Sequence, residues 1–120
     1  AWCGGHPDPT SGWTEGETPP MPAEAILLGD FNCEPDSPEF VALTGPVAGK
    51  YGRLRPLGGF VDAWEAAGNA PDDGKTILDR DVRIDHCFVS TGLHTHLMGA
   101  WIDDSATGSD HYPLRIENDL

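Results

Sequence analysis

The sequence predicts a small α/β fold of short elements joined by long loops, and three observations carry the prediction. A four-residue apolar run, Ala25 to Leu28, stops at Gly29 as a buried strand does. Phe60, Val61, Trp64 and Ala67 recur at helical spacing. From Arg83 onward the side chains alternate with a period of two. The chain has 120 residues, enough for one domain, and its 15 glycines and 11 prolines lie well above the roughly 12% of ordinary composition. A chain of this size buries only about two-thirds of the surface its unfolded form exposes.

Taken in order, residues 1–23 form an irregular N-terminal segment, rich in glycine and proline and without a basic residue or a period. Trp2 and Trp13 are too apolar to leave in water, so part of this segment is expected against the domain, which occupies residues 24–120. Glu24 to Leu28 is the first strand. Asp36 or Ser37 can cap a helix from about 37 to 44, with Pro38 in its first turn and Glu39 near the positive end of its dipole. Gly45-Pro46 ends it, and a loop runs to Gly59. Phe60 to Ala67 reads as a second helix closed by Gly68-Asn69, followed by irregular residues 68–81. The next strand starts at Arg83, with Ile84, His86, Phe88 and Ser90 on one face and Asp85, Cys87 and Val89 on the other. Two more strands cover about His96 to Asp103 and His111 to Ile116.

The net charge of −13 argues against a broad basic face for gripping nucleic acid, though not against an enzyme that reaches phosphates through a bound cation. The longest purely apolar stretch is four residues, far short of a membrane-spanning helix. Neither a basic leader nor a hydrophobic signal region is visible. Cys3, Cys33 and Cys87 are odd in number and widely spaced, which predicts reduced thiols and a cytoplasmic chain rather than a disulfide framework or a zinc site.

Three short motifs carry chemistry. Gly29-Asp30-Phe31-Asn32 follows a strand, and in extended backbone Asp30 and Asn32 project to one side, where they can hold a hard cation, orient a water or bond a phosphate oxygen. Taken alone, Asp-x-Asn is better read as an Asx turn. Arg83-Ile84-Asp85 sets a carboxylate among apolar neighbours, where an unpaired charge is costly, although a surface-facing strand residue explains it equally well. Ser109-Asp110-His111-Tyr112-Pro113-Leu114 joins an Asp to a His, and a histidine held by a carboxylate suits phosphate binding or proton transfer near neutral pH.

Together and in this order, Gly-Asp-Phe-Asn, Arg-Ile-Asp-His-Cys-Phe-Val-Ser and Gly-Ser-Asp-His-Tyr-Pro-Leu resemble the C-terminal half of the endonuclease/exonuclease/phosphatase superfamily, the DNase I-like and exonuclease III-like fold, over about residues 24–117. The resemblance implies half of a four-layer α/β sandwich, mainly antiparallel sheet with helices on one face. It implies a phosphoester hydrolase, of phosphodiesterase, nuclease or phosphatase type, dependent on Mg²⁺ or Mn²⁺. By motif match, Asp30 would orient or deprotonate the attacking water. Asn32 would hold the phosphate and that water, and Asp110, with Asp30 and Asn32, would bind the metal. His111 would contact the phosphoryl oxygen, with Asp85 as its hydrogen-bonding carboxylate. Asp85 and His111 are therefore expected within hydrogen-bonding distance, and Asp30, Asn32 and Asp110 at one end of the sheet.

The family's first half, with its Asn, its Glu metal ligand and a second catalytic His or Tyr, has no match upstream of Gly29, so by this comparison the chain is a half domain. The alternative to half of an active site is an inactive fragment or a complementing assembly piece. A sheet face bared by the missing half, with candidates Ile26, Leu28, Ile84, Phe88, Leu114 and Ile116, is expected to be covered by a second copy of the chain, a separate N-terminal half or residues 1–24. The charge favours a small or lipid-like phosphoester over nucleic acid. His94 and His96 are read as exposed strand histidines, Arg53 and Arg55 as a solvated loop, and Asp103-Asp104 as turn residues or the rim of the metal site. Thr76 resembles a Thr that lies near the substrate in relatives, with Ile77 in place of the usual aromatic.

Overall fold

The computed structural model describes residues 22–55 and 58–120, and the expectations for Trp2, Trp13, Cys3 and the rest of residues 1–21 lie outside the described residues. The chain is α/β with antiparallel sheets and few helices, compatible with part of a DNase I-like sandwich. Strand β1 is Ile26–Asp30, helix α1 Pro38–Thr44, strand β2 Phe60–Asp62 and helix α2 Ala63–Ala66. Strands β3, Asp85–Ser90, β4, Leu97–Ile102, and β5, Leu114–Asn118, complete it. Strand β3 is the middle of a three-stranded sheet, with β1 on one side and β2 on the other, and β4 pairs with β5 alone.

The middle position explains the composition of β3. Every residue from His86 to Ser90 is buried, so the alternation read from the sequence separates two packed faces rather than a core face and a wet one. Phe88 joins Phe40 of α1 and Phe60 in one cluster. Cys87 and Val89 turn the other way, onto Val61 and Ala63, with Leu97, Leu114 and Ile116 beside them. Burial pushes the Cys87 thiol up to about 11, which leaves it protonated and unreactive at neutral pH.

Helix α1 starts as its sequence directs. The Ser37 hydroxyl accepts from the Phe40 N–H at 3.3 Å and Pro38 occupies the first turn. The expected helix over Phe60 to Ala67 is corrected: Phe60–Asp62 is a strand and only Ala63–Ala66 is helical. A short apolar run buried on both faces shows no clear period and reads as strand or helix alike, and the sheet decides by burying Phe60 on one side and Val61 on the other. Strand β1 runs on through Gly29 to Asp30 instead of stopping at Leu28. The last strand begins at Leu114, three residues later than expected, after Pro113, which has no N–H to offer a ladder. Its carbonyl accepts from the Asp103 N–H at 3.0 Å.

Two further readings change. His94 and His96 lie in a 3-10 helix, Thr91–His96, and the second of them bonds Asp119 at 2.8 Å. Arg53 is not a solvated loop residue. Its side chain is 6% exposed and pairs with Asp36 and Glu65, both at 2.9 Å, and it donates to the Gly45 carbonyl at 2.7 Å. This one guanidinium staples the start of α1, its end and α2.

Under β3 lies a fully buried ion pair. The Arg83 guanidinium donates to Asp62 Oδ2 at 2.9 Å and Oδ1 at 3.3 Å, and both side chains have no exposure. It also donates to the Pro71 carbonyl at 2.8 Å and meets His86 Nδ1 at 2.9 Å. Because arginine only donates, His86 accepts at Nδ1 and carries its proton on Nε2, which donates to the Cys33 carbonyl at 2.7 Å. Burial, with the Arg83 charge behind it, lowers the His86 pKa from its ordinary value. This neutral histidine ties β3 to the loop that follows β1.

Candidate functional site

The β1–β3 register sets Asp30 directly across from Asp85, one at the last residue of its strand and the other at the first. Beyond Asp30 the Phe31 N–H still bonds the Ile84 carbonyl at 3.1 Å. The backbone then turns at Asn32, whose φ of 50° is left-handed. The Asn32 N–H donates to Asp30 Oδ1 at 2.8 Å, so the segment is an Asx turn. The expectation of an extended pair projecting to one side is thereby corrected. The turn fixes one carboxylate oxygen of Asp30, and the other, Oδ2, lies 4.0 Å from His111 Nε2.

His111 comes to the same place from the loop before β5. Its N–H donates to the Ser109 hydroxyl at 3.0 Å, and it forms an isolated antiparallel bridge with Ile77. The imidazole Nδ1 lies 2.8 Å from Asp85 Oδ2, and because a carboxylate accepts, Nδ1 donates. Nε2 is turned toward Asp30, with Oδ2 4.0 Å away. Side-chain exposure rises from 19% at Asp85 through 28% at His111 to 48% at Asp30, so the mouth of the site is on the Asp30 side.

The hydrogen bond to Asp85 raises the His111 pKa above its ordinary value. Desolvation opposes the rise, and the charges of Asp85, Asp110 and Asp30 add to it. One donor atom from each of Asp30, Asp85 and His111 lies within 4.8 Å of the others. Asp110 stands outside that group, exposed, with its carbonyl accepting from the Leu78 N–H at 2.8 Å, yet its charge still acts on His111. The two carboxylates at an open mouth fit a hard divalent cation held by oxygen, and the His111 imidazole, its Nδ1–H given to Asp85, stands beside them.

A cavity of about 360 Å³ lies over the pair, lined by Gly29, Asp85, His111, Tyr112, Pro113 and Leu28. Leu28 and Leu114 also line a neighbouring apolar groove of about 250 Å³. Asp103 is a turn residue: it accepts from the Ser105 hydroxyl at 2.6 Å and from Arg115 at 3.1 Å, bonds that lower its pKa. Thr76 is fully buried and does not line the cleft. The pair Asp62 and Arg83, with His86, belongs to no local motif. Its signal is in the charges set inside the apolar runs 60–64 and 83–89, because a buried charge requires a partner.

No curated protein and no solved structure matches the chain significantly. The family model described as Endonuclease/Exonuclease/phosphatase family matches residues 9–111, most of the chain. The ordered motifs, the antiparallel sheet that joins Asp30 to Asp85 and this match have one conclusion: the chain belongs to the endonuclease/exonuclease/phosphatase family, whose members are phosphoester hydrolases.

Proposed function

We propose that the chain supplies the C-terminal half of the active site of a divalent-metal-dependent phosphoester hydrolase. The observation that carries the reading is the His111 imidazole, bonded through Nδ1 to Asp85 with Nε2 directed at Asp30 Oδ2. Asp85 orients the ring and favours its protonated form. The imidazolium then donates from Nε2 to a phosphoryl oxygen and stabilises the charge that builds there. Asp30 Oδ2 orients or deprotonates the attacking water, and the Asn32 amide holds the phosphate and that water. Asp30 and Asp85 would hold Mg²⁺ or Mn²⁺, with Asn32 and Asp110 completing the set as the family resemblance implies. When bound, the cation neutralises charge on the transferring phosphoryl group. With a net charge of −13, a small or lipid-like phosphoester is favoured over nucleic acid.

A second reading, an inactive fragment or a complementing piece of such an enzyme, is favoured by the edge strand. Ile26 is 46% and Leu28 68% exposed on β1, an apolar face suited to a separate N-terminal half or a second copy. The test is a titration of the ¹⁵N-labelled chain with inorganic phosphate in the presence of Mg²⁺. Shifts centred on Asp30, Asn32 and His111, removed by His111→Ala, are expected. Saturating phosphate that moves none of these signals overturns the assignment of the site.

A further inference from the structure

Thr76 lies on the irregular stretch between α2 and β3 with no exposed surface, and it holds both halves of the Asp85–His111 pair at once. Its hydroxyl oxygen accepts from the Ile84 N–H at 2.9 Å and the Asp85 N–H at 3.2 Å. Its carbonyl accepts from the Tyr112 N–H at 2.9 Å, the amide directly after His111, and its own N–H donates to the Val82 carbonyl at 3.0 Å. The next residue, Ile77, bridges His111. Strand β2 ends at Asp62, opposite Phe88, so its ladder stops three residues before Asp85 reaches the site. The threonine hydroxyl takes over where the sheet leaves off.

We infer that Thr76 is a positioning residue, a clamp that sets the distance between the Asp85 carboxylate and the His111 imidazole. The inference rests on the reading of that pair as the working core of the site. The side chain governs the Asp85 side alone, because any residue at this position keeps the carbonyl that holds Tyr112. A buried N–H that loses its acceptor costs its full desolvation, so the hydroxyl is worth more here than at a surface position. Threonine also suits the place sterically, its methyl filling buried space while its oxygen serves two amides. A threonine placed near the substrate by resemblance is in this structure one layer behind it, acting through main-chain amides.

The test uses Thr76→Val, which keeps the shape and removes the acceptor, beside Thr76→Ser, which keeps the acceptor. In Thr76→Val the Ile84 and Asp85 amides should exchange about tenfold faster. The His111 Nδ1–H resonance, visible in the unaltered chain and in Thr76→Ser, should be lost. A Thr76→Val chain with a dispersed amide spectrum that keeps this resonance unchanged overturns the inference, whatever its loss of stability. Should that variant fail to fold, exchange in the unaltered chain decides. The Ile84, Asp85 and Tyr112 amides should open as one unit, within ~3-fold of one another, and a Tyr112 amide that opens independently of Asp85 overturns the clamp. These readouts report geometry, so a chain without hydrolase activity leaves them intact and the two failures are told apart.

Discussion

Asp62→Asn is the substitution whose cost the structure predicts most directly. Asp62 and Arg83 have fully buried side chains and meet through two N–H···O contacts at 2.9 and 3.3 Å. The asparagine oxygen can still accept from the Trp64 N–H, bonded by Asp62 at 3.3 Å, so the cap of α2 largely survives. What is lost is the charge, and a guanidinium stranded without its counter-ion costs about 3–5 kcal/mol. With an unfolding entropy of roughly 2 cal/mol/K per residue, a chain of this size should lose about 12–20 °C in Tm. Thermal unfolding by circular dichroism measures it, with urea unfolding as a check on the free energy. The double variant Asp62→Leu, Arg83→Met should recover part of the loss, since replacing both partners removes the stranded charge. Recovery is incomplete because His86 Nδ1 and the Pro71 carbonyl lose their donor. An Asp62→Asn chain that loses less than about 4 °C, roughly 1 kcal/mol, would refute the reasoning.

The two histidines should titrate in opposite directions. His111, raised by its bond to Asp85, should hold its proton above pH 6.5, and Asp85→Asn should lower its NMR-detected pKa; a His111 that titrates below 6.5 contradicts the pairing. Its folded pKa exceeds its unfolded one, so its contribution to stability is complete below the unfolded pKa and fades as pH rises through the folded one. His86 is lowered, so the unfolded chain takes up that proton first and stability should fall as pH drops below about 6.5; replacement by Gln that leaves the acid limb unchanged argues against it. The chain alone should hydrolyse a generic phosphodiester slowly or not at all with Mg²⁺, and robust turnover lost on Asp30→Ala would contradict the half-site reading. Association through the exposed β1 face predicts a dimer by light scattering, and a monomer at every concentration counts against it.

Local sequence marks where an element starts better than the partners it finds. Local grammar marks the Ser37 cap and Pro38 start, and α1 follows it closely. Phe60 to Ala67 failed because four apolar residues satisfy a helix and a buried strand alike, and only a partner strand, 28 residues on, chooses between them. Arg53 looked like a loop cation because its partners, Asp36 and Glu65, are 17 and 12 residues away. Asp30 and Asp85 were each ambiguous in isolation. Strand register sets them opposite each other, which no local pattern states. The buried Arg83, with Asp62 and His86, was legible only as a question, since a charge within an apolar run demands a partner without naming it.

The central claim is that Asp30, Asp85 and His111 converge on one divalent-cation and phosphate site. Titration of the ¹⁵N-labelled chain with Mn²⁺ tests it most directly, because paramagnetic broadening falls off steeply with distance from the ion. Broadening should start at Asp30, Asn32, Asp85 and His111, and Asp30→Asn should weaken it there. Broadening that begins at Asp72–Asp73 or Asp103–Asp104 and leaves His111 sharp would contradict it.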